Sequence, residues 1–402
     1  MKNIWFFNHY ATKEDEPATR TYDFSRELTR RGYNITIFAS SFSHYKLEEK
    51  YLKDGQGHKT EHCEGVKFIW IKTFPYKKND WRRALNMLSY GWRVFWLSLK
   101  IKEKPDVIIG TSIHPFAALS GFFVSKVKKS RFFLEITDIW PEMLIDMGLI
   151  PRRSFRGLFL KVVSHYLYRK SETIIIFPPY VKEYLISLGV SKNKITWIPN
   201  GVNFSRFKDV VPYSGKKGDN FVFMYTGIHS PYADLGTVLK AASTLQRDGI
   251  ENVKFIFVGD GTEKKNLIKL SKILDLNNVE FRDMVPKKEI ARVFTEADFF
   301  ISIIKDIVVK YGVSSNKLND YLAAGRPIIF AVRSKNNPVE EAGAGITISP
   351  QDAEVFSEAV KKMINLTEEK RIEMGQNGRK YAEKFLDIKL LTHKLEELIN
   401  SK

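Results

Sequence analysis

Short apolar runs of roughly four to eight residues alternate with stretches of helical periodicity along nearly the whole chain, and no other feature limits the fold so tightly. Strands are expected at residues 3–8, 34–40, 66–73, 106–112, 131–138, 173–177 and 195–198, with helices at 19–31, 81–102, 114–127, 154–170 and 181–188. The scheme then repeats, with strands at 221–226, 254–258, 279–282, 298–304 and 328–332 and helices at 234–247, 262–274, 287–295, 315–324 and 353–364. Runs such as DVIIGTS and KFIFV are apolar on both faces, as strands of a parallel sheet covered by helices on each side must be. Residues 42–65 are polar and fit neither period, so a long loop with some local helix is expected there.

A chain of 402 residues has room for two cores of ordinary size. Residues 1–203 and 221–380 each make one domain; Pro212, Ser214, Gly215 and the basic pair Lys216–Lys217 mark 204–220 as a linker. Residues 381–402 read as a helix with no strand after it, placed to pack back on the first domain. The expected fold class is α/β, two doubly wound domains facing each other across a cleft, with ligands at the carboxyl ends of the strands.

Composition removes several function classes. The single cysteine, Cys63, excludes a disulfide framework and a Cys-rich metal site, and fits a reducing compartment. The apolar run in MKNIWFFN is too short for a signal peptide, and no stretch reaches the length of a spanning helix, so a cytoplasmic protein is expected. The formal net charge of +18 calls for an anionic partner: nucleic acid, a membrane face or phosphorylated substrates.

Residues 310–327, KYGVSSNKLNDYLAAGRP, carry the most chemistry in the least chain. A polar loop opens into a helix near Ser315 or Asn316, and Gly325 and Pro327 stop it. A helix N-terminus presents unpaired N–H groups to a phosphate. Lys317 in the first turn adds a full charge, and Asp320, one turn on along the same face, suits a pair of ribose hydroxyls. The alternative is an ordinary amphipathic helix with Leu318, Tyr321 and Leu322 against a sheet.

Other candidates stand just after expected strands: His9 and Arg20 after the first, His114 and Asp138 later, then Gly227, His229 and the Gly259-Asp260-Gly261 turn. A lone histidine there is more often a hydrogen-bonded structural residue than a ligand, and glycines in such a turn can serve a tight connection alone. The chain lacks a Gly-x-x-x-x-Gly-Lys-Ser/Thr loop, a Gly-x-Gly-x-x-Gly turn after the first strand and a Gly-x-Ser-x-Gly elbow. His58 and His62 beside Cys63 lack the further ligands of a metal site, and no metal is expected.

Taken together these residues resemble a known family. His9-Tyr10-Ala11, Lys72-Thr73-Phe74-Pro75-Tyr76, His114-Pro115-Phe116-Ala117, Asp138-Ile139-Trp140-Pro141, Trp197-Ile198-Pro199-Asn200-Gly201 and above all residues 312–327 are similar to segments of the bacterial retaining glycosyltransferases of the GT-B fold, family 4. Within them the chain resembles the fucosamine-transferase-like enzymes of surface-polysaccharide biosynthesis. The resemblance implies a Rossmann-like acceptor-binding domain, then a Rossmann-like nucleotide-sugar-binding domain. It places donor binding on Gly227, His229, Gly259, Ser315, Asn316, Lys317 and Asp320, and catalytic contact with the sugar on His114 or Asp138. It places acceptor binding on His9, Arg20, Trp81, Arg82 and Arg83. Where the broader group has two carboxylates eight positions apart, this chain has Gly312 and Asp320, and Glu16-Pro17-Ala18 replaces a glycine-rich first loop.

The implied reaction is transfer of an N-acetylated or deoxy hexose from a nucleotide-diphosphate sugar, UDP-sugar foremost, with no cofactor. The implied acceptor is a polyprenyl-diphosphate-linked saccharide. Residues 81–100 and 152–170 mix tryptophan and phenylalanine with arginine, which suits peripheral association with an anionic membrane surface; aromatics packed on a sheet beneath solvated arginines would look the same. The rivals are a nucleotide-sugar 2-epimerase on the same fold and a basic nucleic-acid-binding protein, although no nucleic-acid motif is present.

Overall fold

The structure, a computed structural model, describes residues 1–401 except 15, 17–18, 79, 217 and 307–308. Pro17 and Ala18 of the first loop and Lys217 of the expected linker therefore lie outside the described residues. The chain divides into two compact units, Met1–Pro199 with Ile388–Lys402, and Asn200–Asp387.

The first unit is built on an eight-stranded sheet. In spatial order its strands are Ile195–Trp197, Thr173–Ile176, Arg131–Ile136, Val107–Thr111, Asn3–Phe7, Asn34–Ser40, Val66–Ile71 and His58–Cys63. All pairings are parallel except the last. That last strand corrects the expected loop at 42–65, which also holds a small hairpin of Phe42–Ser43 and Glu48–Glu49. His58–Cys63 is polar and largely exposed, so it has no apolar alternation to reveal it; the Glu64-Gly65 turn, with φ of 47° and 81°, folds it back onto Val66–Ile71. The helix Ile388–Asn400 completes this unit against Arg20–Arg30, through Glu396 to Arg31 at 2.7 Å and to Tyr33 at 3.0 Å.

The second unit holds a six-stranded, all-parallel sheet in the order Val279–Arg282, Val253–Val258, Phe221–Thr226, Phe299–Ile303, Ile328–Ala331, Gly345–Ile348. Alternate residues of each strand feed two cores. Phe223, Phe255, Phe299 and Ile301 pack beneath Leu235–Arg247 and Ala353–Asn365, while Met224, Ile256, Phe300 and Phe330 pack against Phe294, Leu318, Tyr321 and Leu322. Each such side chain contributes about 1.5–3 kcal/mol by leaving water.

Two expected boundaries move. Residues 204–220 belong to the second unit, because Phe207, Val210 and Tyr213 are buried and Tyr213 N donates to Gly325 O at 2.8 Å. The C-terminal segment is two helices, Glu368–Phe385 and Ile388–Asn400; the break at Leu386 and Asp387 lies where the units divide.

Candidate functional site

In the second unit the chain adds strands outward from Phe221–Thr226 to one side, then switches to Phe299–Ile303 on the other. A crevice opens at the carboxyl ends of two strands whose connections diverge in this way. Pairing between them is held to Phe223–Phe299 and Met224–Phe300. Beyond it, Thr226 N donates instead to the Tyr321 hydroxyl at 2.7 Å, and the Tyr321 ring lies flat on Phe300 at 4.2 Å. Tyr321 thus occupies the space a strand would take, and it carries the helix Asn316–Ala324 to the crevice.

That helix starts without a side-chain cap at Ser315, Asn316 is exposed, and its end is a left-handed Gly325. Lys317 Nζ donates to the Tyr225 hydroxyl at 2.8 Å and sits 4.0 Å from the centre of the Tyr225 ring. Burial lowers the Lys317 pKa to about 7. Asp320 is buried and ion-paired with Lys287, a partner that lies 33 positions earlier and gave no sequence signal. The preceding loop is held from two sides. Asn336 accepts from Val313 N at 2.8 Å and donates to Val313 O at 2.9 Å, and Asn200 donates to Ser314 O at 3.2 Å while accepting from Asn319 at 2.6 Å through its own carbonyl.

Opposite this helix, the loop after Phe221–Thr226 meets the loop after Val253–Val258 backbone to backbone. A Cβ at Gly259 would lie 1.9 Å from Gly227 O, and one at Gly261 2.4 Å from His229 O. Gly259 is therefore accounted for by this close approach, at φ of 153°, and needs no ligand to explain it. His229 is fully buried, and neither ring nitrogen has a hydrogen-bond partner among the described residues. Its ring lies behind the loop, and burial, followed by the Lys264 charge, holds its pKa at about 4. Its backbone, rather than its ring, binds the neighbouring loop, donating to Asp260 O at 2.8 Å.

The first unit has its own switch point, between Asn3–Phe7 and Val107–Thr111. His9 follows one strand and His114 the other, and His9 Nδ1 meets His114 Nε2 at 2.6 Å. His114 is the N-cap of Pro115–Lys128 and its Nδ1 accepts from Ala117 N at 3.4 Å. The Nε2 of His114 therefore carries the proton and donates to His9. The side chain is wholly buried with both nitrogens engaged inside the first unit, so the structure gives His114 a capping role and leaves no exposed atom for the expected catalytic contact. The His114-Pro115 pair, a cap followed by proline at the first helical position, is the sequence signal that points to this role. His9 is buried as well, stacked between Tyr10 and Tyr90, so its expected acceptor contact has no exposed surface behind it.

Arg20 also turns inward, donating to Glu135 at 3.1 Å and to the carbonyls of Ile198 and Pro199. The buried Glu135 carboxylate needs that cation, and the guanidinium expected to meet the acceptor is engaged inside the first unit instead of being presented to solvent. Half-buried Asp138 remains reachable, its pKa raised by burial to about 6 against the opposing effects of Thr137 and Arg83. Arg83 lies 6.0 Å from the Tyr10 ring centre; burial, followed by the Arg83 charge, depresses the pKa of His44, whose ring stacks on Tyr10. Trp81 and Arg82 are exposed. Arg83 and Asp138 thus form the partly exposed part of this site, with Tyr10, His9 and His114 as its buried floor. Among the described residues no three or more His, Cys, Asp or Glu side chains gather as for a metal ion.

Family models match both halves: Glycosyltransferase Family 4 over residues 17–206 and Glycosyl transferases group 1 over 208–381. No curated protein sequence matches the chain. Among solved structures the chain is similar to the sucrose-phosphate synthase of Thermosynechococcus elongatus, at 14% identity and a TM-score of 0.74, covering 99% of this chain and 98% of that one. It is similar to WaaG, a glycosyltransferase involved in lipopolysaccharide biosynthesis, at 14% identity and 0.71, covering 100% of both. HepE of Anabaena in complex with UDP aligns at 15% identity and 0.68, again over 100% of both. At such identities the likeness is one of fold.

Proposed function

We propose that this chain, a glycosyltransferase of the GT-B fold with a family 4 first half and a group 1 second half, moves a sugar from a nucleoside-diphosphate donor to a hydroxyl of a lipid-linked or saccharide acceptor, with retention at the anomeric carbon. The observation that carries the donor side is the uncapped start of Asn316–Ala324 with Lys317 and Asp320 on it, set at the switch-point crevice of the second unit. HepE structures with UDP and with UDP-glucose, and an E. coli trehalose-6-phosphate protein bound to UDP-2-fluoro glucose, favour UDP as the carrier.

The chemistry follows from charge. As the bond between anomeric carbon and diphosphate oxygen breaks, its electrons pass to the leaving diphosphate. The Lys317 ammonium and the first helix amides stabilise that growing charge. The acceptor oxygen bonds the anomeric carbon from the same face, and its proton passes to the leaving diphosphate. Asp138, with a pKa near 6, is suited to accept a hydrogen bond from a hydroxyl of the acceptor.

The acceptor side rests on the first unit's outer helices. Trp81 and Trp92 are 66% and 67% exposed on Trp81–Lys100, and Phe155 is 84% exposed on Phe155–Lys170, where Leu158, Phe159 and Val162 follow it outward. Arginines flank these residues, a pattern that suits peripheral binding to the anionic inner face of a cell membrane, where polyprenyl-diphosphate sugars are held. Among the described residues no helix is long and apolar enough to cross a membrane.

Release of nucleoside diphosphate from UDP-sugars, followed with and without polyprenyl-linked lipid extract, tests the reading. Lipid-dependent release is expected. Conversion of the donor to an isomeric nucleotide-sugar without lipid would replace transfer with epimerisation.

A further inference from the structure

Tyr225 stands near the end of Phe221–Thr226 and is only 1% exposed. Its hydroxyl donates to Ile228 O at 3.0 Å and receives Lys317 Nζ at 2.8 Å. A phenol has one hydrogen, and a carbonyl can only accept, so the direction of both bonds is fixed. One oxygen therefore ties the loop that follows the first strand of this sheet to the first turn of the helix across the crevice. Gly227 lies beside them: a Cβ added there would stand 3.7 Å from both Lys317 Cδ and the Tyr225 hydroxyl, so a side chain at this position would reach ordinary contact with both.

The second tyrosine of the crevice has a different task. Tyr321 bonds the Thr226 backbone and stacks on Phe300, which completes the sheet and leaves Lys317 alone. A lysine side chain without a partner spreads over many rotamers, and ordering it on binding costs affinity. Tyr225→Phe would keep the ring beneath the ammonium and lose the one hydrogen-bond acceptor that Lys317 Nζ has among the described residues.

We propose that Tyr225 is a positioning residue for the donor diphosphate: its hydroxyl holds Lys317 aimed into the crevice and, with the same atom, sets the Gly227–Ile228 loop opposite. This rests on the reading that Lys317 meets the diphosphate. Tyr225 itself touches no substrate.

The test is a double-mutant cycle on nucleotide affinity, with UDP, GDP and dTDP each titrated calorimetrically into the parent protein and the tightest binder carried forward. Tyr225→Phe should weaken that nucleotide by about tenfold, the worth of one charge-linked hydrogen bond. In a Lys317→Met background the same change should cost less than about twofold, because the group it positions is gone. Equal losses in both backgrounds would overturn the inference, even with affinity reduced, since Tyr225 would then act independently of Lys317. Tyr321→Phe is the structural control and should lower the melting temperature with equal losses in both backgrounds. If the parent bound none of the three nucleotides, the donor reading beneath the inference would fall, a result distinct from independent losses.

Discussion

A lysine resting on a tyrosine ring in a partly buried crevice gives up its proton far more readily than one in water. Lys317, with a pKa near 7, faces Tyr225 on the adjacent strand and His229 on the loop, while Asp320 on its own helix is taken up by Lys287. A diphosphate favours the charged form, so binding draws in a proton wherever Lys317 is neutral beforehand. Nucleotide affinity should therefore fall as pH rises above about 7, and Lys317→Met should both weaken binding by about ten- to a hundredfold and flatten that dependence. Calorimetry between pH 6 and pH 9 checks it. The histidine floor of the first unit gives a second prediction. His9 and His114 are both depressed by burial, His114 to about 3, so the unfolded chain takes up protons below pH 6.5 that the folded one refuses. Stability is then present above the unfolded value and lost on acidification, by about 1.4 kcal/mol per pH unit for each histidine. His114→Asn, which can still cap the Pro115 helix, should reduce the slope of melting temperature against pH between 6.5 and 4.5.

At the scale of elements, the residues expected to serve the donor divide by how their neighbours reach them. Lys317 and Asp320 were legible because they share one helix face just after its start, and that spacing is written in the chain itself. Lys287 and Asn336 were not, and the contacts of Tyr225 and Asn200 gave no signal beyond the resemblance, because each acts across a gap that only the folded sheet closes. Asn336-Asn337 reads as ordinary turn chemistry, yet Asn336 grips both backbone groups of Val313 and is itself held by Ser334 at 2.9 Å. Asn336→Ala should loosen the loop before Ser315 and raise the donor KM several-fold, with a smaller change in kcat and a stability loss of about 1–2 kcal/mol. Asn336→Asp keeps the bonds from Val313 N and Ser334, loses the one to Val313 O, and should fall between parent and alanine variant. Strands were the most legible elements, since a parallel sheet writes continuous apolar runs, and the larger exceptions, His58–Cys63 and Gly345–Ile348, are both edge strands with no buried residue to reveal them.

Over the whole molecule, the proposed membrane association would join a charge of +18, attractive to anionic lipid, with the exposed aromatics on the first unit's helices, whose indole and phenyl rings would enter the interface. Sedimentation with vesicles should show binding that rises with anionic lipid content. Replacing Trp92 and Phe155 by serine should weaken it about tenfold or more and leave nucleotide affinity unchanged. The account's centre is the second unit's crevice, and a crystal structure of the chain soaked with UDP examines it most directly. The diphosphate is expected against the first turn of Asn316–Ala324, within hydrogen-bond reach of Lys317, with the ribose toward Asp320. UDP bound elsewhere, with the first turn of Asn316–Ala324 left empty, would contradict it.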